Sequence, residues 1–193
     1  MRALHDRVPG APGNLLVMLP PAKACAQDLV ERGFVAALRE RGSPLDVAVM
    51  DADADYYLED KVGGSLGERL AADVIAPMRA KGYARIWLMG ISLGGYGCIS
   101  LARRRAAELE AMILLAPFLG SRGPEALEPA DAEWFPAAYL GFGTGDRYAA
   151  ASEMLARQLP AERVIRMPGA HDWPTWIQLW RAVLEKPLFP MPA

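Results

Sequence analysis

The sequence has little of what several protein classes require. It holds two cysteines, Cys25 and Cys98, in 193 residues. That is too few for a disulfide framework, and a reduced compartment is the simpler expectation. It holds two histidines, His5 and His171, so any chemistry that needs an imidazole has two places to find one. The net charge is −2, which gives no long-range attraction for nucleic acid or anionic lipid. One basic run, Arg103-Arg104-Arg105, falls at the end of an expected helix, where cations suit the macrodipole and solvent takes the charge. No apolar run approaches the roughly 18–20 residues of a membrane span. The run at 15–19, followed by Ala22-Lys23-Ala24, has the faint form of a signal peptide. It is short, it ends in Pro20-Pro21, and Asp6 sits where such a segment needs basic residues. The expectation is a cytoplasmic protein with neither a nucleic-acid nor a membrane partner.

What is present favours a core. Hydrophobic residues make up 52% of the chain, enough for one sizeable interior, and the length suits a single domain over 1–193. Apolar runs occur at 15–19, 47–50, 86–90, 111–116, 138–142 and 163–167. Helical patterns lie between them at 27–41, 66–81, 93–105 and 148–159, and a last one at 175–185 closes the chain. Nearly continuous apolar runs mean strands buried on both faces, as in a parallel sheet covered by helices. The alternation predicts an α/β doubly wound fold with a six-stranded, mainly parallel sheet and helices on both faces. Gly42, Gly82, Gly120 and Pro160 fall where elements should end. Pro77 lies inside the second helical pattern and is expected to kink it. The stretch 120–136 reads as a connecting loop.

The chemistry centres on Gly90-Ile91-Ser92-Leu93-Gly94. An apolar run precedes it and a segment capable of helix follows. That is the setting of a nucleophile elbow, a sharp strand-to-helix turn that exposes its central serine. Small residues flank the serine because larger side chains would collide with the neighbouring strand and helix. Gly95 and Gly97 extend the small patch. A serine hydroxyl needs an adjacent base. His5 lies in a polar segment before the first expected strand. His171 lies just past the last strand, at the carboxyl edge of the sheet, where open α/β sheets bind ligands. Asp146, immediately after the fifth expected strand, is placed to orient His171. Its rival role is to cap the helix that begins near Tyr148. Asp172 is a rival acid, but an immediate neighbour of His171 rarely reaches back to Nδ1. The two cysteines read as small buried hydrophobes.

Other readings of the glycines fail on spacing. A dinucleotide fingerprint through Gly95 and Gly97 requires a third glycine at position 100, which is Ser100. A P-loop requires Gly-Lys-Ser/Thr, which is absent. The acidic residues Asp51, Asp53, Asp55, Glu59 and Asp60 lack the glycine and distal glutamate of a calcium loop. No cofactor and no metal are expected.

The order Ser92, Asp146, His171 on a serine elbow resembles the α/β-hydrolase superfamily over nearly the whole chain. His171-Asp172-Trp173-Pro174-Thr175-Trp176 is also similar to the histidine loop of esterase-D-like and feruloyl-esterase-like enzymes, although Ala170 stands where those often have glycine. The resemblance implies a serine hydrolase cleaving an ester of a small or medium acyl or aryl group. A thioesterase with the same triad, or a non-catalytic binding protein on the scaffold, are the alternatives. The oxyanion hole should use the backbone N–H of Leu93. Its second donor should come from the loop after the first expected strand. Many relatives carry His-Gly there; Pro20 and Pro21 have no N–H, so Ala22 is the first donor available and Lys23 the next. Only 118–136 separates two strands where relatives carry a cap, so no full cap domain fits. Tyr56, Tyr57, Trp134, Phe135 and Trp173 are the candidate wall residues, with core packing as the rival reading of each. The expected partner is a small-molecule ester or thioester. The sequence leaves the oligomeric state open.

Overall fold

The computed structural model describes residues 1–10, 13–57, 65–119 and 137–190. In chain order these form β1 (Arg2–Asp6), β2 (Asn14–Leu19), α1 (Ala26–Glu31), α2 (Phe34–Glu40), β3 (Asp46–Asp51), α3 (Leu66–Leu70), α4 (Ala76–Ala80), β4 (Arg85–Ile91), α5 (Leu93–Arg105), β5 (Ala111–Leu115), β6 (Ala138–Gly143), α6 (Ala149–Ala156), β7 (Val164–Met167) and α7 (Trp173–Leu184).

The strands form one sheet in the order β1-β3-β2-β4-β5-β6-β7. Every pairing is parallel except β1 with β3. The expected six-stranded sheet therefore gains a seventh, antiparallel edge strand. Its sequence, Arg2-Ala3-Leu4-His5-Asp6, is mostly exposed and carries no apolar run. Backbone pairing with β3, not burial of a face, makes it a strand. His5 sits there opposite Ala48, on the far side of β3 and β2 from β4. Burial and the nearby Lys81 and Arg7 cations push its pKa below the ordinary histidine value.

The central parallel strands are apolar because both faces are covered, whereas the edge strand β7, Val164–Met167, is only half-buried and carries the exposed Arg166. Leu15, Leu16, Val17, Met18 and Leu19 of β2 are all buried, as are Ala111–Leu115 of β5. Trp87 and Phe142 fill the sheet faces, and Trp180 of α7 donates its indole N–H to the Phe34 carbonyl of α2 at 2.9 Å. The helix expected at 27–41 is broken in two by Gly33, whose φ of +85° is left-handed, a conformation glycine adopts at little cost. The expected disturbance near Pro77 is a π-helical turn, Ala71–Ile75, between α3 and α4. Pro77 has no N–H to offer the Asp73 carbonyl four residues back, and the wider turn accommodates that loss. Both cysteines are free thiols, Cys25 exposed and Cys98 buried. No helix among the described residues is long and apolar enough to cross a membrane.

Candidate active site

Strand β4 runs straight into α5 through Ser92, which has φ +50° and ψ −112°. A non-glycine residue in that region is strained, and surrounding structure must hold it there. Here the backbone is held from both sides. The Ser92 N–H donates to the Leu115 carbonyl at 2.9 Å, and the Ser92 carbonyl accepts from Phe118 N–H at 2.9 Å and Tyr96 N–H at 3.2 Å. The glycines explain how the turn fits. A methyl at Gly90 would strike the Gly94 carbonyl, and one at Gly94 would strike the Leu19 carbonyl. A Cβ at Gly95 would lie 2.8 Å from the Pro117 side chain.

The sheet order then brings the partners in. β6 delivers Asp146 and β7 delivers His171, both beyond the same carboxyl edge from which Ser92 emerges. The two loops fit against each other through glycine. Gly145 N–H donates to the Gly169 carbonyl at 2.9 Å, and Gly169 has φ +153° with the Thr175 side chain directly against it. His171 Nδ1 lies 2.7 Å from Asp146 Oδ2, and His171 Nε2 lies 2.9 Å from Ser92 Oγ. A carboxylate only accepts, so the neutral imidazole carries its proton on Nδ1, donates to Asp146 and accepts the serine proton at Nε2. All three groups are nearly out of water: Ser92 is 7% exposed, and the His171 and Asp146 side chains are 8% and 1% exposed.

The rival roles sort themselves out in the same loops. Asp146 Oδ1 accepts the Tyr148 N–H at 2.7 Å while Oδ2 faces His171. Asp172 caps α7 instead, accepting the Thr175 N–H at 3.0 Å. Hydrogen bonds from Thr175 hold its carboxyl below the usual carboxylate range. Burial pushes the Cys98 thiol well up, so it is no nucleophile at neutral pH. Ala170 donates its N–H to Thr175 Oγ1 at 3.1 Å, an interaction that glycine there would share. Among the described residues, no cluster of His, Cys, Asp and Glu has the form of a metal site.

The Leu93 N–H opens α5, where the first amides of a helix have no partner within it. The Pro20-Pro21 loop closes as a turn, with Ala24 N–H donating to the Pro21 carbonyl at 3.3 Å and Lys23 at φ +63°. That leaves the N–H of Ala22, an exposed residue, without a hydrogen-bond partner among the described residues. The helix start and this loop are adjacent, since a Cβ on Gly94 would run into both the Leu19 and Pro20 carbonyls.

The wall residues divide. Tyr57 is 1% exposed and packs on Gly97 of α5. This corrects its expected wall role: the tyrosine fills the core above the glycine, where burial pushes its pKa far up. Tyr56 is half-buried, with its ring on Tyr57 and its hydroxyl donating to Asp73 at 3.0 Å. Trp173 is half-buried between Phe34 and Trp176, with the Arg32 guanidinium 4.7 Å from its ring centroid. Trp134 and Phe135 lie outside the described residues. Sequence reasoning missed a set of rings that run from the imidazole: Tyr148 on His171, Phe118 on Tyr148, and Tyr96 on Phe118. Trp176 meets His171 from α7. The only sequence signal was proximity, Tyr148 two residues past Asp146 and Trp176 five past His171.

No protein-family model and no curated protein sequence matches the chain. Solved structures do. A predicted CIB-like hydrolase from Thermoplasma acidophilum superposes with a TM-score of 0.72 at 19% identity, over 92% of this chain and 87% of that one. Fluorophosphonate-binding serine hydrolase F of Staphylococcus aureus gives 0.71 at 16% identity, over 89% and 82%. The S-formylglutathione hydrolase of Staphylococcus aureus gives 0.67 at 15% identity, over 95% and 94%. The chain has the α/β-hydrolase fold; at such identities the likeness speaks for the fold and leaves the chemistry to the site.

Proposed function

We propose that this protein is a serine hydrolase that cleaves a carboxylic ester of a small or medium acyl or aryl substrate through an acyl-enzyme. The observation that carries the reading is the unbroken line of hydrogen-bond distances, 2.9 Å from Ser92 Oγ to His171 Nε2 and 2.7 Å from His171 Nδ1 to Asp146 Oδ2. A hydroxyl is a weak nucleophile at its own pKa, and a base in hydrogen-bond reach removes that obstacle. Hydrolases and esterases among the structurally similar proteins support the same reading.

In this reading Ser92 Oγ attacks the ester carbonyl carbon as its proton passes to His171 Nε2. Asp146 stabilises the imidazolium without taking its proton. The carbonyl oxygen becomes an oxyanion held by the Leu93 and Ala22 N–H groups, which act best where water is excluded. His171 then gives its proton to the leaving alkoxide, and the C–O bond breaks. Water, deprotonated by the same imidazole, attacks the acyl-serine; the imidazolium returns that proton to Ser92 Oγ as the C–Oγ bond breaks and the acid leaves. The half-buried rings of Phe118, Tyr96 and Trp173 suit an apolar acyl or aryl group at the mouth.

The test is direct. Wild-type protein is incubated with p-nitrophenyl acetate and butyrate, and with a fluorophosphonate read by intact mass. Turnover and a single adduct are expected, and both should vanish in Ser92→Ala. A folded wild-type protein that shows neither would overturn the proposal.

A further inference from the structure

The imidazole of His171 is held by more than its two hydrogen bonds. The Tyr148 ring stands 4.9 Å from it, centroid to centroid, at an interplanar angle of 83°. The Trp176 ring stands 4.9 Å from it at 88°. Edge-to-face pairs at this separation are favourable beyond the area they bury. Tyr148 does a second thing: its backbone N–H is the donor on Asp146 Oδ1, at 2.7 Å. One residue therefore touches both the acid and the base. Its own ring is held in turn, by Phe118 at 5.6 Å and by the Arg147 guanidinium at 5.0 Å.

Trp176 points the same way. It is buried, yet its indole N–H finds no hydrogen-bond partner among the described residues. A buried tryptophan ordinarily spends that donor. Here ring contacts with His171 and Trp173, 4.9 Å and 5.1 Å, account for its placement. Its use is a surface for the imidazole, with the N–H left idle.

From this we infer that Tyr148 and Trp176 form an aromatic bracket that positions the His171 imidazole, with Tyr148 coupling the orientation of Asp146 to that of His171. The inference rests on the hydrolase reading above for its kinetic consequence. The imidazole must take a proton from Ser92 and return it to a leaving group, and small misalignments of a catalytic group cost rate steeply. Hydrogen bonds to Oδ2 and Oγ fix the ring along one line; rings against it oppose rotation about that line. Neither Tyr148 nor Trp176 exchanges a proton, so both are positioning residues.

The test compares Tyr148→Leu, Tyr148→Phe and Trp176→Phe with wild type. It reads kcat and KM on p-nitrophenyl butyrate, thermal unfolding, and the low-field proton resonance of the His171 Nδ1–H. Tyr148→Leu should lower kcat about five- to tenfold, the scale of one lost aromatic pair, with KM within twofold, and should broaden the resonance. Tyr148→Phe and Trp176→Phe keep a ring and should recover kcat to within about threefold, with the resonance sharp. Should leucine unfold the protein, Tyr148→Met repeats the comparison. A kcat for Tyr148→Leu within twofold of wild type, a loss in Tyr148→Phe equal to that in Tyr148→Leu, or a loss carried by KM would overturn the inference. If wild type turns nothing over, the hydrolase reading fails by itself, and the resonance comparison still decides whether the bracket holds the imidazole.

Discussion

On the proposed reading, replacing Ala22 by proline should remove one oxyanion donor and little else. Ala22 is the first central residue of the turn closed by Ala24 N–H on the Pro21 carbonyl. Lys23, the second, has φ +63°, whereas Ala22 has no positive φ. That combination is a type II turn, whose first central residue takes φ near −60°, the value that a proline ring fixes. The backbone therefore accepts proline, and only the N–H is lost. In this reading Ala22 and Leu93 share the oxyanion, and losing one such donor costs about 10²–10³ in kcat, or about 2.7–4 kcal/mol of transition-state stabilisation. Proline in a compatible turn meanwhile stabilises by about 0.4–1 kcal/mol, by restricting the unfolded chain. At this size that is a rise of about 1–4 °C in Tm. The assay is kcat on p-nitrophenyl butyrate beside a thermal melt, with Ala22→Gly as the variant that keeps the donor but loses the side chain. A folded Ala22→Pro enzyme with kcat within about threefold of wild type refutes the assignment and passes the role to the Lys23 N–H. A fall in Tm of several degrees refutes the turn geometry itself.

Two further outcomes follow from the same loops. Asp146→Asn keeps the shape of the acid but presents an amide to Nδ1 and favours the wrong imidazole tautomer; kcat should fall about 10⁴-fold, with fluorophosphonate labelling slowed to match. Asp172→Ala removes the cap on α7 and should cost about 0.5–1 kcal/mol at neutral pH, measured by urea unfolding, because the group is exposed. Asp172 has a folded-state pKa below its unfolded one. Its contribution is present above the ordinary carboxylate pKa and fades as pH falls through the folded value. The gap between wild type and Asp172→Ala should therefore close in acid; a gap that persists undiminished there would show that the charge has no part in the cap.

Most of the sheet is legible in the sequence because its strands are buried on both faces and therefore read as unbroken apolar runs. The strand that is not legible, β1, is exposed and polar, and only its pairing with β3 makes it regular. The division of the first helix at Gly33 depends on one φ angle that glycine permits but does not announce. That Ser92, Asp146 and His171 come together at the candidate site was legible for a different reason. Each stands next to the end of a readable strand, and a chain with so few histidines leaves little choice of base. Side chains whose place depends on contacts across the fold were not legible. Tyr57 stands beside Tyr56 in the sequence, yet one ring fills the core above Gly97 while the other bonds Asp73. No spacing rule separates them.

Asp146 shows where weighing one role against another goes astray. From sequence, a Gly-Asp before a helix is either a cap or a catalytic acid, and the two readings compete. A carboxylate has two oxygens, and this one divides them: Oδ1 takes the Tyr148 N–H at the start of α6 and Oδ2 takes the His171 Nδ1–H. The bond is an Asx turn to the residue before α6 and not the expected cap, since Tyr148 is itself the N-cap and no side chain caps the helix; it fixes the carboxylate plane, and that plane decides where Oδ2 can meet an imidazole. The local role is thus a condition of the long-range one. A side chain without that bond would have to be oriented by something else at a place where it is 1% exposed and where an unpaired polar oxygen is costly. The same loop then returns the Tyr148 ring against the base. Three consecutive residues, Asp146-Arg147-Tyr148, in this way lead from the turn after β6 into α6 and set the direction of the imidazole.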